Sequence, residues 1–158
     1  MIGGQGAKVG NLIPEPQMDK KRIEKFTTQI RDICRSSKSF RRRIDIDVSH
    51  IAWRAGTTGQ DIRNAMDAEK MASLILYGEI CLPNCKTSSP LEIVFDGRFK
   101  EIIETQFNPI REVKHTNVGF RIVVREGSGK HIIVTVHPLN LEPTLLEQLP
   151  EIPNEVWQ

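Results

Sequence analysis

The chain has four histidines in 158 residues, and two of them fall in one stretch, "KHIIVTVHP", Lys130–Pro138. That stretch is predicted to be a strand, where successive side chains alternate between faces. His131, Ile133, Thr135 and His137 are then expected on one face, and Ile132, Val134 and Val136 on the other. The second set is wholly apolar and β-branched and is read as the core face. The histidines and the threonine would point outward or into a cleft. An imidazole takes or gives a proton near neutral pH. In the preceding "GFRIVVR", Arg121 and Arg125 share a face with each other. Whether they join the histidines depends on the hairpin register, which a one-residue slip reverses. Histidine, arginine and threonine together suit cleavage of a phosphodiester. The arginine holds the phosphate in its fork and balances the developing charge, and the hydroxyl donates to a non-bridging oxygen. With RNA the 2′-OH serves as nucleophile, so the protein need not supply one. The plain alternative is a pair of exposed strand histidines.

A second constellation lies upstream in "SHIAWRAG", Ser49–Gly56. His50 and Arg54 are spaced i, i+4, which puts them one turn apart on the same helix face. Ile51 and Trp53 can anchor the other sides. The alternative here is a surface His–Arg pair beside a buried tryptophan. His115, in "REVKHTN", is read as a surface residue at a turn. The three cysteines, Cys34, Cys81 and Cys85, form no even disulfide framework. Cys81-x-x-x-Cys85 lacks a second ligand pair at zinc spacing, so these are read as buried or loop thiols. The chain has neither a P-loop nor a GxGxxG motif.

Helices first and strands later must position these groups. Residues 1–18 read as a flexible lead-in, and 19–158 as one domain. From Asp19, a plausible N-cap, Ile23, Phe26, Ile30 and Ile33 follow helical spacing, and Ser36-Ser37-Lys38-Ser39 is expected to end that helix. "RIDIDV" alternates like a short edge strand. "SHIAWRAG" reads as a short helix stopping at Gly56. Thr58-Gly-Gln-Asp61 loosely fits a capping box for a further helix through Ile62, Met66, Leu74 and Ile75, ending near Gly78. "CLPNCKTSSP" is a loop and "LEIVF" a strand. "FKEIIETQF" fits either type and is assigned as a strand for Ile102, Ile103, Thr105 and Phe107. "GFRIVVR" and "HIIVTVH" form a hairpin around "EGSG". The proline-rich tail is expected to be an extended strap with one short helical turn. The resulting class is α+β, with N-terminal helices packed on an antiparallel β-meander sheet.

Composition is that of an ordinary globular chain, 39% hydrophobic and 27% charged. No apolar run is long enough for a membrane span, and the N-terminus lacks the apolar stretch of a secretory signal. The net charge is +2 but unevenly spread. Residues 1–55 carry 12 Lys/Arg against 6 Asp/Glu, and residues 56–158 carry 10 against 14. The excess peaks at Arg41-Arg42-Arg43. Such a patch suits a phosphate backbone, although one triplet also fits a solvated surface.

A helix with "SHI-x-x-R", a second helix, and a meander ending in "G-K-x-I-I-V-T-V-H-P" resembles the barnase, EndoU, colicin and RelE (BECR) group of ribonucleases. The nearest likeness is to C-terminal toxin domains of contact-dependent inhibition and other polymorphic toxin systems. The likeness spans roughly residues 44–138. It implies a metal-independent endoribonuclease without a cofactor, cutting tRNA or another structured RNA by 2′-OH transesterification. It also implies a catalytic set of His50, Arg54, Thr135 and His137. His50 or His137 would be the general base and the other the general acid. Arg54, with Arg121 or Lys130, would stabilise the transition state. Arg41, Arg42, Arg43, Arg121 and Lys130 are the expected RNA contacts. A cognate immunity protein with an acidic surface is the implied partner. The toxin domain would be exported within a larger protein and act in the target-cell cytoplasm. Related sequences often read "HI-x-x-RH", where this chain has Ala55. The competing expectation is a non-catalytic RNA- or protein-binding module that uses the basic N-terminal third. ADP-ribosyl transfer finds no NAD-site motif here.

Overall fold

Ile23, Phe26, Ile30 and Ile33 recur every three or four residues and form the buried stripe of helix α1, Glu15–Ile33. The structure, a computed structural model, describes residues 15–47, 67–107, 114–153 and 156–157. Helix α1 begins four residues ahead of Asp19. The serine run after it starts a new helix instead of only closing the old one. The Ser36 side chain accepts a hydrogen bond from the Ser39 N–H at 3.1 Å and caps α2, Ser37–Arg43. Phe40 of α2 is buried. Arg41, Arg42 and Arg43 fill its last turn, where cations complement the negative end of the helix dipole. Strand β1, Ile44–Ile46, follows directly.

Helix α3, Ala68–Tyr77, is capped by Asp67, whose carboxylate accepts from the Lys70 N–H at 2.9 Å. It ends at Gly78 as the sequence indicates. A side chain at Gly78 would run into the Leu74 carbonyl. Arg31 of α1 ties down this end by donating to the Ile75 and Gly78 carbonyls at 2.9 and 2.7 Å while lying over the Phe95 ring. The start of the helix read from Thr58, and the short helix carrying His50 and Arg54, lie outside the described residues.

Next come β2 (Glu79–Ile80), a 3-10 turn (Leu82–Asn84) and β3 (Glu92–Gly97). "FKEIIETQF" is a helix, α4 (Lys100–Phe107), and not the expected strand. Ile102 and Ile103 are adjacent and both fully buried. Neighbouring strand residues would face opposite sides, whereas a helix turns about 100° per residue and can bring both to one core. Strands β4 (His115–Arg125) and β5 (His131–Leu145) form the long hairpin.

The sheet order is β1-β5-β4-β3-β2. Strands β2 to β5 form an antiparallel meander, with α4 inserted between β3 and β4, and β1 joins β5 in parallel. The fold is α+β, with a mixed sheet instead of a wholly antiparallel one. Helices α1, α3 and α4 bury one face of the sheet against Ile93, Phe95, Phe120, Ile122, Val124 and Ile133. Beyond β5, a 3-10 turn (Leu146–Gln148) and the tail close over this core. The Lys100 N–H donates to the Pro150 carbonyl at 3.0 Å. Trp157 packs on Phe40 and donates its indole N–H to the Cys34 carbonyl at 3.0 Å. Burial pushes the Cys34 thiol up to about 12, which keeps it protonated. Among the described residues, no helix is long and apolar enough to cross a membrane.

Candidate functional site

Strand β5 does not keep one alternation from end to end. Val124 pairs with Ile133, but Val123 pairs with Thr135, so Val134 is an extra residue in a β-bulge. The bulge flips the parity of everything after it. His131 and Ile133 belong to the helix-covered face. Thr135 and His137 belong to the opposite face, while Val136 returns to the core. The expectation that His131, Ile133, Thr135 and His137 share a face is therefore corrected, as is the reading of Ile132, Val134 and Val136 as the core set. Ile133 and Val136 are the buried hydrophobic residues of this stretch.

The same register settles where the arginines lie. His137 pairs with Arg121, Arg121 with Asp96, and Asp96 with Glu79, so these four form one row across β5, β4, β3 and β2. Thr135, Val123 and Val94 form the next row, and Ile132, Arg125 and Glu92 the one after. Arg121 grips Asp96 through both sides of its fork, Nε to Oδ1 at 2.8 Å and Nη2 to Oδ2 at 2.9 Å. Nη2 also approaches the Cys81 sulfur at 3.6 Å. The Asp96 hydrogen bonds raise the arginine's pKa above its ordinary value. Nη1 takes part in none of these contacts. Arg125 pairs with Glu92 at 2.7 Å. Glu92 and Asp96 are spaced four apart, like Arg121 and Arg125, and opposite charges facing across strands set the register. Neither Asp96 nor Glu92 stands out in the sequence by type, and the matched spacing is the signal the sequence offers for them.

Thr135 is only 6% exposed, and its hydroxyl has no hydrogen-bond partner among the described residues. Buried hydroxyls are nearly always bonded, so one left over beside a histidine and an arginine is unusual. Its position suits a donor to an anionic oxygen.

His131 has a different role. It packs edge-on against Phe26 of α1 with ring centroids 5.0 Å apart. Its Nδ1 accepts the Gly127 N–H at 3.1 Å and closes the hairpin turn. Burial, and then the nearby Arg43, lower its pKa from 6.5, so the neutral ring is favoured. Close by, Lys130 reaches the Arg41 carbonyl and the Asp45 carboxylate, each at 3.4 Å. Arg41, Arg42 and Arg43 are exposed. Four of the five expected RNA contacts thus gather at the hairpin tip, and Arg121 does not. Six strand residues place that corner roughly 20 Å from His137.

His50 and Arg54 lie outside the described residues. Strand β1 runs parallel to β5, and the Asp47 N–H donates to the Ile133 carbonyl at 3.0 Å. The chain therefore leaves β1 beside the strand carrying Thr135 and His137. Among the described residues, no three His, Cys, Asp or Glu side chains stand close enough to hold a metal ion.

One further group was not anticipated. Arg98, just past β3, lies in a cleft of about 560 Å³ walled by Tyr77, Asp96, Phe99, Leu141 and Pro150. Its Nη1 donates to the Thr144 hydroxyl at 2.6 Å. Its Nε and Nη2 are buried with no partner among the described residues, a state that costs about 1–3 kcal/mol per group. No protein-family model matches this chain, and no curated protein or solved structure matches it either.

Proposed function

We propose that this chain is a metal-independent ribonuclease domain of the BECR kind, cutting tRNA or another structured RNA by attack of the 2′-OH on the adjacent phosphate. The observation that carries the reading is that His137, Arg121 and Thr135, whose hydroxyl has no partner among the described residues, share one sheet face beside the exit of β1. His137 is suited to move a proton at the 2′-OH or at the leaving 5′-oxygen. Arg121, held rigid by Asp96, and Thr135 are suited to stabilise the extra charge on the phosphate oxygens. His50 and Arg54 are the proposed second proton carrier and second cation.

In this reading the exposed corner of Arg41, Arg42, Arg43 and Lys130 tracks the RNA backbone away from the cut. The proposed setting is a toxin domain delivered within a larger protein and acting in the target-cell cytoplasm. In the producing cell, an immunity protein with an acidic surface would cover it. A second reading is a non-catalytic RNA-binding module, favoured by the distance between the basic corner and His137.

Incubating the purified chain with total RNA in EDTA separates the two. The ribonuclease reading expects discrete fragments ending in 2′,3′-cyclic phosphate, lost in His137→Ala. Retained RNA binding with intact RNA supports the module.

A further inference from the structure

We propose that the cleft around Arg98 is a guanine-binding subsite, a proposal that rests on the ribonuclease reading only for its role in choosing the cut. Arg98 and Arg121 differ in one respect. Arg121 closes the fork of Nε and Nη2 on a carboxylate at 2.8 and 2.9 Å. Arg98 has the same two atoms buried and unanswered among the described residues, while Thr144 fixes the far side of its guanidinium through Nη1. A planar fork held this way fits two acceptors side by side.

The charges around the cleft decide which acceptors. Glu79 and Glu142 line it, are exposed, and form no ion pair among the described residues. They oppose a carboxylate or phosphate ligand and leave a neutral acceptor pair as the better fit. Guanine presents O6 and N7 as such a pair, the commonest specific partner of an arginine fork. Its remaining ring N–H and amino group can donate to the glutamates. Adenine would set its own amino donor against the arginine. Tyr77, 39% exposed, offers a ring on which a base can stack. The volume falls within the range of small-molecule sites. Leu141, 41% exposed, and Tyr77 both line the cleft, and exposed side chains exchange rotamers rapidly. Asp96 lines the cleft and also stands in the row with Arg121 and His137. The cleft therefore adjoins the row of proposed reacting groups.

The test titrates the full chain with guanosine, adenosine and 7-deazaguanosine, followed by amide NMR shifts. The proposal expects guanosine to bind about 10-fold more tightly than either of the others, since each lacks the acceptor pair. Arg98→Lys should erase that discrimination, and Tyr77→Ala should weaken all three ligands alike. The deaza ligand tests the fork even where an Arg98 variant fails to fold. Equal affinity for the three nucleosides, or no shift at millimolar guanosine, would overturn the proposal. The RNA assay keeps the two claims apart. Cleavage with no preference for guanine at the cut overturns the subsite and spares the ribonuclease. Guanosine discrimination in a chain that cuts no RNA supports the subsite and overturns the ribonuclease.

Discussion

His131 and His137 sit six residues apart on one strand and end up on opposite faces of the sheet. His131 lies under α1, against Phe26, with its Nδ1 spent on the Gly127 N–H. His137 lies in a row with Arg121 and Asp96 on the face away from α1, α3 and α4. A single extra residue at Val134 separates the two environments. The difference teaches that the helix-covered face is held by apolar burial while the other carries the Arg121–Asp96 and Arg125–Glu92 pairs, and that the same residue type takes its role from the face it lands on.

The largest effect should come from two neighbours on either side of the pleat. Ile133→Ala empties a fully buried site and is expected to cost about 2–5 kcal/mol. Ile132→Ala, on the other face and only half-buried, should cost under about 1 kcal/mol. Urea midpoints at unchanged m measure both, and equal costs would contradict the assigned register. Next in size is the charged row. Asp96→Ala leaves Arg121 without its carboxylate. The pair is 21% and 29% exposed, so a loss of about 1–2 kcal/mol is expected, below that of a fully buried pair. Arg125→Ala, at a more open pair, should cost under about 1 kcal/mol.

RNA binding sharpens the same contrast. Replacing Arg41, Arg42 and Arg43 with alanine should reduce the slope of log affinity against log salt by about 2, at roughly 0.7 per lost phosphate contact. His137→Ala should leave that slope unchanged. The smallest effect is a pH dependence. The folded-state pKa of His131 is lowered from 6.5, so the unfolded chain binds its proton more readily. Stability from this group is present above pH 6.5 and is lost as pH falls through the folded value. Protonation also removes the acceptor for Gly127. Stability measured at pH 8 and pH 5.5 should fall more in the wild type than in His131→Gln. An equal fall in both would place the pH sensitivity elsewhere.

Local periodicity carried much of the fold. The stripe of α1, the end of α3 at Gly78, the "EGSG" turn and the edge strand at Ile44–Ile46 could all be read from spacing and turn chemistry. The misses depended on partners distant in sequence. The bulge at Val134 carries no glycine to mark it and exists through pairing with β4. The parallel pairing of β1 with β5 joins segments nearly ninety residues apart. In α4, two adjacent isoleucines are equally at home in a strand, and only the shared core decides. Of the site, His137, Thr135 and Arg121 were legible as residue types. Their common face was not, because it depends on the bulge and the hairpin register together. Arg98 gave no signal, since its interest lies in a buried fork with no partner among the described residues.

The most direct test of the ribonuclease claim uses one RNA cut by the purified chain and its twin with a single 2′-deoxyribose at the cut. In EDTA, the wild type should cleave the RNA and leave the bound deoxy twin intact. His137→Ala should cleave the RNA on the order of 100-fold more slowly, the usual contribution of a positioned acid or base. Equal cleavage of the two substrates, or full activity in His137→Ala, would contradict the account.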